Sequence, residues 1–194
     1  MFHDERVLFI GDGSGWSFLA ATQLRRLCGQ VDAIFWDHGT PRPKDHLNWK
    51  GDWIFTFKAD LVLPETVLSK ARKGAINFHP APPSYRGIGG YYFALADGCK
   101  TFGATCHHMD DKIDHGDIIA VDHFAVFEDE TPASLTDRTA HVCLGLFYRM
   151  INQIDRTGQI VPEDRETWGD HLYTRKQLSK LHKEQRAAKQ LSLA

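Results

Sequence analysis

The stretch Ala75-Ile76-Asn77-Phe78-His79-Pro80 decides the fold, because it is an apolar run that ends in polar side chains. Such a run predicts a strand, and Asn77 and His79, two residues apart, share one face of it. Asp114 stands in a later turn bounded by Gly116, where its carboxylate can reach an imidazole. We therefore treat Asn77, His79 and Asp114 as one candidate site.

An amide donor, an imidazole and a carboxylate together supply what an acyl-type transfer requires. The amide holds an oxyanion, the imidazole moves a proton, and the carboxylate orients the imidazole and favours its charged form. Spacing alone leaves a structural alternative open, in which Asn77 and Asp114 cap turns and His79 pairs with a backbone carbonyl.

The motifs around these residues resemble those of the formyltransferase family, which includes glycinamide ribonucleotide transformylase, methionyl-tRNA formyltransferase and the sugar N-formyltransferases. The family pattern is Asn-x-His, a proline-containing loop with a basic residue before glycine, Gly-x-Thr and a closing Asp-x-Gly. Here the elements read, in order, Asn77-Phe78-His79, Tyr85-Arg86-Gly87, Gly103-Ala104-Thr105 and Asp114-His115-Gly116. The loop after His79 is one residue shorter than is usual, which bears on the choice of acceptor.

The resemblance implies a Rossmann-like domain, 10-formyltetrahydrofolate as donor and a primary amine as acceptor. It also implies that Asn77 and His79 stabilise the oxyanion, while Asp114 favours the charged form of His79 and can take the proton of the amine. No metal is expected. The eleven histidines include the neighbours His107 and His108, but adjacent residues on a strand point to opposite faces.

The resemblance further implies residues that bind the folate. The stretch Leu61-Val62-Leu63 would line an apolar slot for the pterin ring, with Asp110 and Ile113 also on the folate side. The alternative for the apolar residues is ordinary core packing, and both roles are compatible because pockets are walled by core residues.

A glycine-rich turn, Gly11-Asp12-Gly13-Ser14-Gly15, lies between a predicted strand and a predicted helix. In the ribonucleotide transformylases a similar loop binds the phosphate of the acceptor through backbone N–H groups. We therefore list Gly11, Gly13 and Ser14 as substrate-binding candidates, the alternative being a plain tight turn. Arg86 is a further candidate, for an acceptor anion or for a structural carboxylate.

The rest of the chain alternates strands and helices, which predicts an α/β fold with a mostly parallel sheet flanked by helices and with the site at the carboxyl ends of the strands. We expect a catalytic domain at 1–155 and a short, partly helical C-terminal extension at 156–194. The predicted strands are 6–10, 31–36, 52–57, 75–79, 101–109 and 118–127. The predicted helices are 16–28, 65–72, 91–96, a long helix from Pro132 and a basic helix within 172–193. Thr131 or the acid before it is expected to cap the helix that begins at Pro132.

Composition narrows the function. The chain has 194 residues, a net charge of −2 and 42% hydrophobic residues, which fits a folded protein without a general basic field for nucleic acid. No apolar run approaches the ~20 residues of a membrane span, and no signal peptide is evident, so we expect a cytoplasmic protein. The four cysteines form no Cys-x-x-Cys pair and are interpreted as buried small hydrophobes.

The acceptor is the open question. The body is acidic and 156–194 is too short for the tRNA-binding domain of the tRNA enzymes, while the ribonucleotide transformylases carry more residues before Asn-x-His. A nucleotide-linked amino sugar is therefore the leading prediction. Methionyl-tRNA or glycinamide ribonucleotide as acceptor, a 10-formyltetrahydrofolate hydrolase and a non-catalytic binding module remain alternatives, and a homodimer is kept as a candidate assembly.

The C-terminal tail is basic. Residues 175–194 hold six Lys or Arg and one acid. This tail is interpreted either as a solvated terminal helix or as a dock for an anionic substrate or RNA.

Overall fold

The computed structural model describes residues 2–163 and 166–191, and the end of the predicted tail at 192–194 lies outside them. Two sheets occur among these residues, one of six strands and one of two. The strands are β1 (Arg6–Gly11), β2 (Gln30–Phe35), β3 (Gly51–Phe57), β4 (Ala71–His79), β5 (Arg86–Gly87), β6 (Thr101–His108), β7 (Ile118–Ala125) and β8 (Leu172–Tyr173). The α-helices are α1 (Gly15–Leu27), α2 (Glu65–Leu68), α3 (Gly90–Ala96), α4 (Pro132–Thr157) and α5 (Arg175–Leu191).

The large sheet has the order β2-β1-β3-β4-β6-β7. Strands β1 to β4 are parallel, and β6 and β7 extend the sheet by antiparallel pairing. The chain moves from β1 to β2 on one side and then to β3 on the other, which opens a crevice at the carboxyl ends of β1 and β3. The predicted Rossmann-like, mostly parallel α/β fold is confirmed.

Helices α1 and α4 cover one face of the sheet. Phe147 on α4 lies within 4.8–6.4 Å, centroid to centroid, of phenylalanines from strands β1, β3 and β4, namely Phe9, Phe55, Phe57 and Phe78. Offset and edge-on aromatic contacts of this kind stabilise a core beyond the area they bury. The helix begins as predicted, because Thr131 accepts from the Ser134 N–H and Pro132 takes the first position.

The other face has thinner cover. A second core cluster, which includes Trp49, Leu61 and Leu63, lies under the 36–50 loop and α2. The predicted helix at 65–72 is too long, since α2 ends at Leu68 and β4 already begins at Ala71. The residues after α2 pair with the start of β3, and the Arg72 guanidinium binds Asp52 on that strand, which favours the strand over a second helical turn.

Two smaller expectations can be compared with the structure. Cys28, Cys106 and Cys143 are buried as interpreted, whereas Cys99 is only partly buried, at the turn before β6. Across residues 2–163 and 166–191, no helix combines the length and the apolar character that crossing a membrane requires.

Candidate active site

The three predicted catalytic side chains lie together. Asn77 and His79 end β4, and Asp114 comes from the loop between β6 and β7. Asp114 Oδ2 is 3.4 Å from His79 Nδ1, and Asn77 Nδ2 donates to Asp114 Oδ1 over 3.3 Å. His79 and Asp114 are both buried. One carboxylate thus contacts both residues of the Asn-x-His motif.

The main chain around Asp114 is held in an uncommon conformation. Its φ is +45°, a left-handed value that Asp adopts more readily than most residues. The Arg86 guanidinium donates to the carbonyl oxygens of Ile113, Asp114 and Gly169. The contacts of Arg86 in this structure are therefore structural. Its partners are main-chain carbonyl groups, whereas the sequence suggests a carboxylate as the structural partner.

Two glycines of the motifs allow close approach of this loop to its neighbours. Gly87 N donates to Asp114 Oδ2 over 2.8 Å, and a Cβ on Gly87, whose φ is +87°, would meet the Tyr173 carbonyl oxygen at 2.2 Å. A Cβ on Gly116 would meet the His108 carbonyl oxygen at 2.1 Å. These distances give the physical reason for glycine at both positions.

The environment keeps Asp114 ionised. Burial raises the pKa of this carboxyl, but the adjacent His79 imidazole and the Gly87 N–H outweigh it and lower the pKa to about 2. The site therefore contains a fixed negative charge at neutral pH.

His107 is a site residue that sequence reasoning did not find. Its Nδ1 lies 2.7 Å from the His108 carbonyl oxygen, which can only accept, so we infer that Nδ1 carries a proton and that Nε2 accepts from Asn77 Nδ2 at 3.0 Å. Asn77 Oδ1 accepts from Thr56 Oγ1 at 2.6 Å, which is consistent with this amide orientation. The register of β4 with β6 sets Asn77 opposite His107, and this pairing is not readable from either strand alone.

His79 has partners at both ring nitrogens. Its Nε2 donates to the Tyr85 carbonyl oxygen at 3.0 Å, while Nδ1 faces Asp114. His79 thus has both the backbone carbonyl partner expected of a structural histidine and the carboxylate partner expected of a catalytic one.

The C-terminal extension forms one wall of the site. Strand β8 pairs with β5, and Trp168 packs edge-on against His107 with 4.9 Å between ring centroids. Trp168 Nε1 also donates to the Gly116 carbonyl oxygen over 2.8 Å. Sequence reasoning missed Trp168 because nothing local to it points to residues more than 50 positions earlier in the chain.

A cavity of about 600 Å³ lies over these residues, within the range of small-molecule sites. Of the predicted folate slot, Leu61 and Leu63 are buried and line it, whereas Val62 is 50% exposed and Ile113 is 44% exposed at its edge. Asp110 also lines the cavity, and burial, which raises its pKa, is outweighed by bonds from His115 and the Lys112 N–H that lower it.

Backbone N–H groups of the glycine-rich turn donate hydrogen bonds to aspartate side chains. Gly13 N donates to Asp37 at 3.0 Å, and Ser14 N donates to Asp12 at 3.2 Å. Burial raises the Asp12 pKa, but bonds from Ser14, Ser17 and Lys58 outweigh this, so the pKa is lowered. The N–H groups considered for phosphate binding, at Gly13 and Ser14, thus have anionic partners within the chain, while Gly11 N lies within the β1 ladder.

Within the part of the chain that the structure describes, no three His, Cys, Asp or Glu side chains are grouped so that they could hold a metal ion.

This fold and this site define a class, an α/β protein with an Asn-x-His strand end and a buried Asp at the carboxyl edge of a Rossmann-like sheet. The model of the formyl transferase family matches residues 47–151, more than half of the chain. The chain belongs to the formyl transferase family, which confirms the resemblance seen in its motifs.

The relatives are of two kinds. A methionyl-tRNA formyltransferase of Lachnospira eligens is 33% identical over 116 residues, which cover 55% of this chain and 36% of that protein. The first curated relatives are much longer, since the matches span only 20% to 46% of their lengths.

Among solved structures, an N-formyltransferase from Helicobacter canadensis, in complex with folinic acid and dTDP-3-aminofucose, has a TM-score of 0.73 at 16% identity over 88% of this chain and 71% of that one. The formyltransferase PseJ from Anoxybacillus kamchatkensis has a TM-score of 0.69 at 18% identity, over 90% and 88% of the two chains. At these identities the likeness concerns the fold.

Proposed function

We propose that this protein transfers a formyl group from 10-formyltetrahydrofolate to a primary amine of a small molecule. The observation that carries the proposal is the position of Asp114, which contacts His79 and Asn77 together on the floor of the cavity. Membership of the formyl transferase family supports this reaction class. The folate ligands of the Helicobacter and Anoxybacillus structures support the donor.

The residues present fit a folate. Leu61 and Leu63 offer a buried apolar wall, Ile113 extends it at the cavity edge, and Asp110 provides an ionised acceptor for polar ring edges. When bound, the folate supplies a formyl group carried on nitrogen. The protein binds it in a cavity large enough for the ring and leaves the catalytic triplet open to a second ligand.

Asn77 and His79 donate hydrogen bonds to the formyl oxygen, where negative charge develops as the amine attacks. The loss of one such donor costs about 3–4 kcal/mol in barrier. Both Nδ2 hydrogens of Asn77 are directed to His107 and Asp114 in this structure, and the two ring nitrogens of His79 face the Tyr85 carbonyl oxygen and Asp114. Each residue therefore exchanges one of its partners for the substrate. Such adjustments between apo and substrate-bound sites are common.

Asp114 acts through its charge. Two roles follow from the family resemblance, to favour the charged form of His79 and to take the proton of the amine. A carboxylate with a pKa of about 2 is a weak proton acceptor near neutral pH, which favours the first role. The amine proton leaves through water, and as the oxyanion collapses the bond between the formyl carbon and the folate nitrogen breaks. That nitrogen takes up one proton, so the products are the N-formyl amine and tetrahydrofolate.

We further propose a nucleotide-linked amino sugar as the acceptor. The dTDP-3-aminofucose in the Helicobacter complex supports this class. The similarity to methionyl-tRNA formyltransferase keeps charged initiator tRNA as the second candidate. Water as acceptor would make the protein a hydrolase with the same three residues.

The test is release of tetrahydrofolate from 10-formyltetrahydrofolate, first without acceptor and then with amino sugar nucleotides, glycinamide ribonucleotide and charged initiator tRNA. Release that depends on one small amine supports the proposal and identifies the acceptor. Release without any amine indicates a hydrolase. Release only with charged initiator tRNA would make tRNA, and not an amino sugar nucleotide, the acceptor. No release with the whole panel, together with folate binding, would point to a non-catalytic binding module.

A further inference from the structure

A second, smaller cavity lies along helix α5, next to the catalytic one. It has a volume of about 290 Å³ and shares two residues, Arg175 and Leu178, with the catalytic cavity. Its lining comes from one helix face, which we call the α5 face: Arg175, Leu178, Ser179, His182, Lys183 and Arg186. The two shared residues make the α5 face a neighbour of the cavity that contains the triplet.

The two cavities differ in charge. The catalytic cavity is lined by five aspartates against three cations, and two of those cations already bind aspartates, Lys58 to Asp12 and Arg175 to Asp60. The α5 face contributes three cations and no acid. Within residues 2–163 and 166–191, Lys183 and Arg186 make no ion pair, so their charges are available to a ligand.

The α5 face is packed against the domain. Leu178 lies against Gly89, close enough that a Cβ there would meet its methyl groups at 2.9 Å. His182 packs edge-on against Tyr92 of α3, with 4.5 Å between ring centroids. Residues three and four apart share a side of a helix, so these contacts fix Lys183 and Arg186 along the cavity. The interpretation of a merely solvated terminal helix does not account for this packing.

The glycine-rich turn is a poor alternative for an anion. Its Gly13 and Ser14 amides carry Asp37 and Asp12, and the nearby Lys58 binds Asp12. A phosphate there would have to displace a carboxylate and face a second one, at a cost that grows as water is excluded. The α5 face presents the opposite field, with unpaired cations and an open surface.

We propose that the α5 face binds the diphosphate of the acceptor, which makes the acceptor a nucleoside diphosphate derivative that carries an amine. This inference rests on the proposed formyl transfer for the identity of the ligand. Arg175 and Arg186 are 11 residues apart, which places them about 16 Å apart along the helix axis. The amine end then lies on the Arg175 side, since Arg175 also lines the catalytic cavity, and the nucleotide extends toward Arg186.

The test uses the full chain without folate and measures binding of UDP, dTDP, inorganic pyrophosphate and tRNA by calorimetric titration. The test variant is Lys183→Gln with Arg186→Gln. The matched control is Lys176→Gln with Lys180→Gln, which removes the same charge from the same helix away from the cavity. We expect the test variant to weaken nucleoside diphosphate binding by about tenfold or more, and the control to retain it.

Several results would overturn the inference. Equal weakening of nucleoside diphosphate binding in both variants would mean that only the overall positive charge of the helix attracts the ligand. Unchanged binding in the test variant would place the diphosphate elsewhere. Pyrophosphate that binds as tightly as UDP and dTDP would reduce the site to an anion site without a nucleoside. If only tRNA binds, and the test variant abolishes it, the ligand is RNA.

The proposed function is tested separately in the formyl transfer assay. There the test variant raises KM for the acceptor and leaves kcat nearly unchanged, since the diphosphate contacts are the same in ground and transition states. Absence of turnover with intact diphosphate binding would reject formyl transfer and leave the binding site. Turnover with an amino sugar nucleotide whose KM does not change in the test variant would reject the site and leave the function.

Discussion

Arg86 and Asp114 hold each other through reciprocal bonds between side chain and main chain. Arg86 Nε donates to the Asp114 carbonyl oxygen over 2.6 Å, and Asp114 Oδ2 accepts from the N–H of the next residue, Gly87, over 2.8 Å. The arginine therefore sets the left-handed main chain of Asp114, and Asp114 fixes the strand that carries the arginine. The position of the carboxylate under His79 depends on this closed pair.

The conservative change Arg86→Lys tests this dependence. Lysine keeps the charge but lacks the planar fork that reaches three carbonyl groups, so the Asp114 loop loses its geometry. We expect kcat for formyl transfer to fall about 10- to 100-fold, with a smaller change in KM for the folate. The matched control is Arg149→Lys, which alters a forked arginine bound to Asp122 outside the cavity. A normal kcat in Arg86→Lys would contradict the positioning role.

Asp114→Asn removes the charge and keeps the shape. The Asn oxygen can still accept from Gly87, so the loop should remain folded. We expect kcat to fall about 100- to 1,000-fold while folate binding is retained, because the charge opposite His79 is lost. Asp117→Asn, on an exposed side chain of the same loop, is the control. Equal kcat in Asp114→Asn and wild type would disprove the role proposed for this carboxylate.

The lowered pKa of Asp114 also predicts how stability depends on pH. The folded pKa of about 2 lies below the ordinary value of 3.8, so the carboxylate stabilises the fold fully above about pH 4 and loses this contribution as the pH falls toward 2. The contribution is about 2 kcal/mol at neutral pH.

Urea unfolding of wild type and Asp114→Asn at pH 6 and pH 3 measures this effect. The difference in the free energy of unfolding between the two proteins should shrink at the lower pH, since only the wild type carries the titrating carboxyl. A difference that stays constant would mean that the Asp114 pKa is not lowered by folding.

Trp168→Ala removes the cover of the two imidazoles. The change deletes the ring that packs on His107 and the bond to the Gly116 carbonyl oxygen. We expect a loss of about 1–3 kcal/mol in stability and a lower kcat, as water reaches the triplet. Trp168→Phe should recover most of the stability, because it keeps an aromatic ring. Trp16→Phe, which loses the bond to Asp137 outside the cavity, is the control.

Trp168→Ala with wild-type kcat and unfolding energy would show that this tryptophan contributes nothing to the site. A loss of stability alone, with kcat unchanged, would restrict Trp168 to packing.

Much of the fold was predictable because it depends on local rules. Alternation of apolar runs with turns gave the parallel strands, and a period of two placed Asn77 and His79 on one face. The start of α4 at Thr131 and Pro132 also followed from residues that act on their immediate neighbours. The helix predicted at 65–72 failed where local propensity competed with pairing of β4 to the start of β3.

The rest of the site depends on contacts between distant residues. His107 reaches Asn77 only through the antiparallel register of β6 with β4, and Trp168 reaches His107 through a segment that returns from the end of the chain. The glycine-rich turn gave a correct indication of a turn between strand and helix. It could not indicate that Asp37, 24 residues further on, occupies the Gly13 amide.

The pairing of β8 with β5 has a consequence for the order of events during synthesis. Once the chain has been translated to Ile151, all of the matched family region is present, yet the wall formed by β8 and Trp168 is still missing. Because domains fold as the chain emerges, the sheet can form before that wall is translated. The nascent chain therefore passes through a stage in which Asn77, His79 and Asp114 can be assembled while the segment that covers them has not yet been translated.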